Sequence, residues 1–469
     1  MRPFLLAFLL LAPLASAGAS QAPTTDDPAY YFLLGRHLES AGKVDDAIKA
    51  HQRAIALDPD SAELRAELAG LYARQDNAVE AIAQADAAVA RDPANVEANR
   101  IIGTVYAAYG ERRMPLRQGD DPATYTAKAI AALEKSQTTG GDLGLDFMLG
   151  RLYVQTKAFD KAIAPLRRVV EEQPSILDAA FLLSTAQQEA GRTEDAVATL
   201  GRVLAEHPES FRGYLRLAEV YEESEQWSQA ADALAKAQAL NPRAPMIARR
   251  RAVALISAGR AAESRDLLQA TIAAGKGEAA DPILLYLLAE SQRVAKDLDG
   301  ALVTARKLVD ANPDDARGLH VLSLILQDKG DVKGAEQTLR SLIGKDPLDA
   351  NALNSLGYML AERGDRLDEA VALLQRALKI DPGNPSYLDS LGWAYFQQGR
   401  LDLADPPLTE AADKLKSNSV VQDHLGDLRY KQRRYADAAA AWERALGGDG
   451  QSIDRSKIES KIREARGRM

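Results

Sequence analysis

The chain has 469 residues, 46% of them hydrophobic and 27% charged, with a formal net charge of −9 and no cysteine. Lack of cysteine excludes disulfides, thiolate metal centres, a cysteine nucleophile and lipid attachment to a cysteine, and the acidic balance argues against general binding to nucleic acid or anionic lipid. Single domains commonly run to roughly 100–200 residues, so a chain of this length is expected to be modular.

Residues 1–17 read as a secretory signal: Arg2 supplies the positive end, Phe4 to Leu14 is apolar, and Ala15-Ser16-Ala17 predicts cleavage after Ala17. The apolar run is about half of the roughly 20 residues needed to span a bilayer. Residues 18–27 form a polar linker. No later segment is apolar enough to cross a membrane, so the mature chain is expected to carry no integral membrane segment. It is expected to be exported, to the periplasm in a Gram-negative source.

From residue 28 onward, prolines mark a period. Pro59 and Pro93 are 34 residues apart; Pro174, Pro208 and Pro242 follow at steps of 34; Pro313, Pro347 and Pro382 at 34 and 35. Proline cannot continue a helical ladder and biases the residue before it away from helix, so each marks a helix end. A period near 34 predicts stacked helical hairpins. Between Ala350 and Asn384, Leu353, Leu356 and Leu360 make one helical stripe, Gly364-Asp365-Arg366 breaks it, and Ala370, Leu374 and Ala377 make another. Gly357 and Ala370 are small where the two helices must approach.

Residues 28–244 are expected to form an N-terminal array of about six hairpins. Its third hairpin carries a surplus, placed at residues 110–123 as a long exposed turn. Residues 245–279 form an irregular hairpin, with Arg251 where an apolar residue is expected and Lys276 in place of the proline; a seam is expected there. Residues 280–449 make a C-terminal array of about five hairpins, in which Pro406-Pro407 should shorten or kink a helix. Residues 450–469 form a basic capping helix with Ile458, Ile462 and Ala465 on one face.

The recurring pairs Leu34-Gly35, Ile102-Gly103, Leu149-Gly150 and Leu391-Gly392, with Tyr106, Tyr153 and Tyr395 three places on and alanines such as Ala162 and Ala404 in the second helix, resemble the tetratricopeptide repeat. The resemblance covers about Pro28 to Leu446. It implies an all-α fold: a right-handed α-solenoid, or superhelix, of about twelve helix-turn-helix repeats, whose first helices line a concave groove that binds a protein or peptide.

On that implied groove, the C-terminal repeats present Asn354, Tyr358, Asp389, Trp393, Phe396, Asp423, His424, Asp427 and Tyr430. Aromatic residues dominate binding energy at interfaces, though Tyr358 and Trp393 could equally pack between repeats. The N-terminal half offers Phe32 with Arg36 and Phe147 with Arg151. Family members that grip chaperone tails use paired lysines and asparagines; Phe32, Arg36, Ala66, Gly70, Arg100 and Thr104 stand at those places, so that clamp is not expected.

No catalytic constellation emerges. His37, His51, His207, His320 and His424 show no metal-ligand spacing, and His51 falls on the buried face of a second helix. Phosphate-cradling and dinucleotide motifs are missing, and the repeats use up the chain. The expected function is a non-enzymatic scaffold without cofactor or metal. The block from Leu353 to Ala404 also resembles exported bacterial repeat proteins of the cell envelope, which implies a role in envelope assembly, secretion or polysaccharide export. Alternatives are an accessory subunit of such a machine or a self-associating architectural protein.

Overall fold

The computed structural model describes residues 26–137, 141–242, 244–275, 281–450 and 453–469. The expected signal peptide, most of the polar linker and Lys276 lie outside the described residues. Two compact units divide the chain, Met1–Val220 and Tyr221–Met469.

The first unit contains α1 (Pro28–Ser40), α2 (Val44–Leu57), α3 (Ala62–Arg74), α4 (Ala78–Val89), α5 (Val96–Arg112), α6 (Tyr125–Ser136), α7 (Leu143–Gln155), α8 (Phe159–Glu172), α9 (Leu177–Glu189) and α10 (Thr193–Glu206). The dividing point falls within α11 (Phe211–Glu223). The second unit continues with α12 (Trp227–Leu240), α13 (Pro245–Ser257), α14 (Ala261–Ala274), α15 (Pro282–Val294), α16 (Leu298–Ala311), α17 (Ala316–Asp328), α18 (Val332–Lys345), α19 (Ala350–Glu362), α20 (Leu367–Ile380), α21 (Pro385–Gln397), α22 (Leu401–Lys414), α23 (Ser419–Lys431), α24 (Tyr435–Gly447) and α25 (Arg455–Arg466). These are twelve hairpins of an α-solenoid and a closing helix, and the described residues contain no strand.

Several junctions between hairpins are written in four residues, often around a proline. At Asp58-Pro59-Asp60-Ser61, α2 stops at Asp58, and the Ser61 hydroxyl accepts the Leu64 N–H at 3.3 Å to start α3. Asn95, Asp349 and Asn418 cap their helices in the same way, at 2.9, 2.8 and 3.0 Å. Such a cap is worth about 1 kcal/mol. Within a hairpin, the turn needs a left-handed residue: Gly330 (φ 76°) supplies it without strain, whereas Lys296 (φ 64°) does so against its preference.

Packing inside a hairpin sets a small residue on the first helix against a large one on the second. Gly103 faces Leu133, Gly150 faces Leu166, Gly357 faces Leu374 and Gly392 faces Leu408. At the two terminal hairpins the same place is taken by His51, opposite Gly35, and Trp442, opposite Gly426. His51 is fully buried, and neither ring nitrogen has a partner. Burial pulls its pKa below the ordinary 6.5, with Glu67 and Glu39 opposing only in part. Replacing His51 with leucine should therefore stabilise the first hairpin by about 1–3 kcal/mol, because an unsatisfied buried polar group is removed. Below about pH 6.5 the unfolded chain takes up a proton that the buried ring refuses, so wild-type stability falls with acid. The leucine variant should lack that component, and urea titrations at several pH values would read both effects.

The surplus residues of the third hairpin differ in part from expectation. Helix α5 runs to Arg112, so part of the surplus extends the helix. The remainder is mostly exposed, as expected, except that Leu116 inserts into the core beside Tyr125. The proline expectation also fails in one respect. Helix α22 keeps fourteen residues with Pro406 and Pro407 inside it, the same length as α20. Proline removes one ladder bond apiece, and the burial of Ala404, Leu408, Ala411 and Ala412 holds the helix nonetheless. At the far end, Ile458, Ile462 and Ala465 of α25 cover Ala438, Trp442 and Ala445 of α24, as a cap must. Among the described residues, no helix is long and apolar enough to cross a membrane.

Candidate functional site

First and second helices both bury stripes within the stack, and the candidate surface is made by the first-helix side chains that keep exposure beside those stripes. In the first unit, residues of α3, α5 and α7 together line an open groove of about 350 Å³. Ile101, Leu145 and Met148 make its apolar floor, and Arg74, Glu97, Arg100 and Asp142 stand at its rim. The rim charges are internally paired: Arg74 grips Glu39 at 2.8 Å and Arg100 grips Glu97 at 2.7 Å. Such a wall offers polar contacts of both signs at a fixed register.

The sequence-predicted residues of this unit are not among those lining the groove and form no single cluster. Phe32 meets the His51 ring edge-on at 5.9 Å, and Arg36 lies 6.0 Å over Phe32 while pairing with Glu67 at 3.7 Å. Phe147 is half-buried against the core. Arg151 reaches back to Glu111 of α5 at 3.0 Å.

In the second unit the structure brings most of the predicted residues together. His424 Nδ1 lies 3.0 Å from both carboxylate oxygens of Asp389, and both residues are buried. The Trp393 ring is sandwiched, 4.0 Å from His424 on one face and 4.9 Å from Phe396 on the other, each at 13°. Its indole N–H donates to Glu362 at 2.9 Å. Tyr358, half-buried, approaches His424 at 6.3 Å, and its phenol is pushed up by burial, with Glu362 and Asp389 adding to the effect. Burial opposes charge on His424, but Asp389, with Glu362 and Asp423 behind it, more than compensates and raises its pKa. Asn354 is half-buried nearby, with its side-chain oxygen lacking a hydrogen bond.

The remaining acids serve the cap. Lys461 of α25 bonds both Asp423 and Asp427 at 2.7 Å, and these carboxylates hold it charged against the cost of burial. The Tyr430 hydroxyl donates to Glu464, and Arg468 lies 5.4 Å over the Tyr430 ring. Asp389, Trp393 and His424 are thus largely buried and mutually engaged. Phe396, Tyr358 and Tyr430 are half-buried and retain surface.

Sequence reasoning overlooked Glu362, Lys461 and Glu464. A signal existed: Lys461 stands 34 residues after Asp427, and Glu464 stands 34 after Tyr430. The closing helix therefore occupies the place of a thirteenth first helix. Among the described residues, no group of three or more histidines and acids could hold a metal ion.

Two family profiles, both described as tetratricopeptide repeat, match this chain: one at residues 32–107, 249–316 and 321–385, the other at residues 187–249. Cellulose synthase operon protein C of Xanthomonas axonopodis pv. citri is 27% identical over 314 residues, which is 65% of this chain and 18% of that protein. TPR repeat-containing protein PA4667 of Pseudomonas aeruginosa is 37% identical over 62 residues, 13% of this chain and 10% of that protein. The chain thus spans less than a fifth of the length of these curated relatives. Among solved structures, yeast Tom70 aligns over 94% of this chain and 95% of its own at 13% identity and a TM-score of 0.47. A tetratricopeptide repeat protein from Parabacteroides merdae aligns over 55% of this chain and 99% of its own, at 14% identity and a TM-score of 0.44.

Proposed function

Because the chain belongs to the tetratricopeptide repeat family, we propose that it is a non-catalytic scaffold that holds a protein or peptide partner on the exposed side of its first helices. The observation that carries this reading is the groove across α3, α5 and α7, with an apolar floor and a rim of fixed charge. Protein-binding sites combine these features, an apolar centre for energy and a polar edge for register. Within the second unit, Phe396, Tyr358 and Tyr430 offer a separate surface of the same kind, backed by the Asp389, Trp393 and His424 stack. Asn354, Asp423 and Asp427, with Phe32, Arg36, Phe147 and Arg151, are proposed as further contacts for the partner.

The proposed setting is the bacterial cell envelope, with the chain exported by its N-terminal signal and working in the periplasm. Similarity to a protein named for a cellulose synthase operon supports this setting. It also favours a second reading, an accessory subunit of an export or assembly machine.

A photo-crosslinking side chain placed at Thr104 in the groove, and another at Phe396, tests the proposal in intact cells. Discrete protein adducts are expected at both positions. Val303, exposed on second helix α16, is the control. Adducts that form equally at Val303, or at none of the three, would overturn the reading, as would turnover of a substrate by the purified chain alone.

A further inference from the structure

The segment between α5 and α6 serves no purpose in hairpin stacking, since the other hairpins close without it. It is nevertheless held firmly from beneath. Leu116 is 7% exposed, and its backbone N–H donates to the Tyr125 hydroxyl at 2.8 Å. That hydroxyl donates to Asp120 Oδ2 at 2.6 Å, and the same carboxylate oxygen accepts the Arg117 backbone N–H at 3.1 Å. Tyr125 is itself fully buried, 4.9 Å from Tyr106.

This arrangement sorts charge. The acids are turned to local work: Glu111 pairs with Arg151, Asp120 bonds Tyr125, and Asp121 accepts the Ala123 N–H at 2.9 Å. The cations point the other way. Arg112, Arg113 and Arg117 are exposed, and no described carboxylate lies within salt-bridge distance of their side chains. The Arg117 side chain acts on Asp120 and Asp86 only through longer-range attraction. Met114 stands among them, 50% exposed. On the neighbouring first helices, by contrast, Arg36, Arg74, Arg100 and Arg151 all have acidic partners.

A rigid tip with unpaired guanidinium groups around an exposed thioether, on a chain of net charge −9, is built for an acidic ligand. We infer that residues 112–117 form a docking surface for an acidic segment of a partner protein. Its carboxylates would take the arginines bidentately, a geometry guanidinium matches and ammonium does not, while an apolar side chain beside them covers Met114. An anionic lipid surface fits less well: it would use the charge alone, and the rest of the chain, being acidic, would be repelled from it.

The test uses the full-length chain and the peptide hexaglutamate as probe, titrated calorimetrically at low salt. Wild-type protein is expected to bind. The combined Arg112→Gln, Arg113→Gln and Arg117→Gln variant should bind roughly tenfold more weakly or worse, with an unchanged melting temperature because the three side chains are exposed. Raising the salt should weaken the wild-type complex. No binding by wild type, equal binding by the variant, or stronger retention on phosphatidylglycerol vesicles than on hexaglutamate would overturn the proposal, the last in favour of lipid. None of the three arginines lines the first-helix groove, so failure here would leave crosslinks at Thr104 and Phe396 untouched.

Discussion

Replacing Trp393 with alanine is expected to destabilise the second unit by about 3–5 kcal/mol, the range for removing a large buried aromatic. The indole is 8% exposed and fills the space between the His424 and Phe396 rings. Its loss would also leave Glu362 without its donor and the Asp389–His424 pair open to water on one face. Repeat arrays transmit stability through neighbouring interfaces, so hydrogen exchange should accelerate in α19, α21 and α23 while α3 and α4 stay protected. A melting temperature within a degree of wild type would show that Trp393 is not integral to packing. Phe396→Ala alone is the cleaner probe of partner binding, since Phe396 keeps surface and donates no hydrogen bond.

Gly357→Val should cost about 3 kcal/mol, because overpacking a tight helix contact forces backbone movement. A β-carbon there would sit 2.6 Å from Leu374 Cγ and 3.2 Å from the Ala370 carbonyl oxygen. The informative control is Gly201→Ala on α10, where nothing lies within 4 Å. There the ordinary helix preference for alanine should prevail and stabilise by about 0.5–1 kcal/mol. Chemical denaturation of the two variants should therefore move in opposite directions. Destabilisation by both, or by neither, would mean that the close approach is not what keeps residue 357 small.

Much of the architecture was legible because stacking constrains sequence at every repeat. The Asp-Pro and Asn-Pro pairs mark where second helices stop, and the small residue of each first helix marks where its partner crosses. The antiparallel hairpin over Ala350–Ile380 follows from two stripes and one glycine turn, and the structure has α19 and α20 at that place. Less legible was anything that depends on which side of a half-buried residue meets water. Trp393 and Phe396 are three apart on one helix, so periodicity puts both near the groove. Only the neighbouring His424 ring decides that Trp393 is covered on both faces while Phe396 keeps one open. Pro406 and Pro407 were misjudged for a related reason. Their local cost is real, but buried alanines and Leu408 elsewhere on α22 outweigh it.

The amino-acid order alone settles that this chain is an array of paired helices with a capped C-terminal face, because a repeating unit must solve the same packing problem at the same spacing each time. Tertiary structure alone decided the use of the irregular parts. The extra residues after α5 look like a loose turn in one dimension. In three, Leu116 and Tyr125 anchor them and orient the arginines outward. Likewise Lys461 lies 38 residues beyond Asp423, yet bonds it at 2.7 Å. Beyond the repeat spacing that relates Lys461 to Asp427, such contacts have no local signature, since they depend on where the stack brings distant side chains.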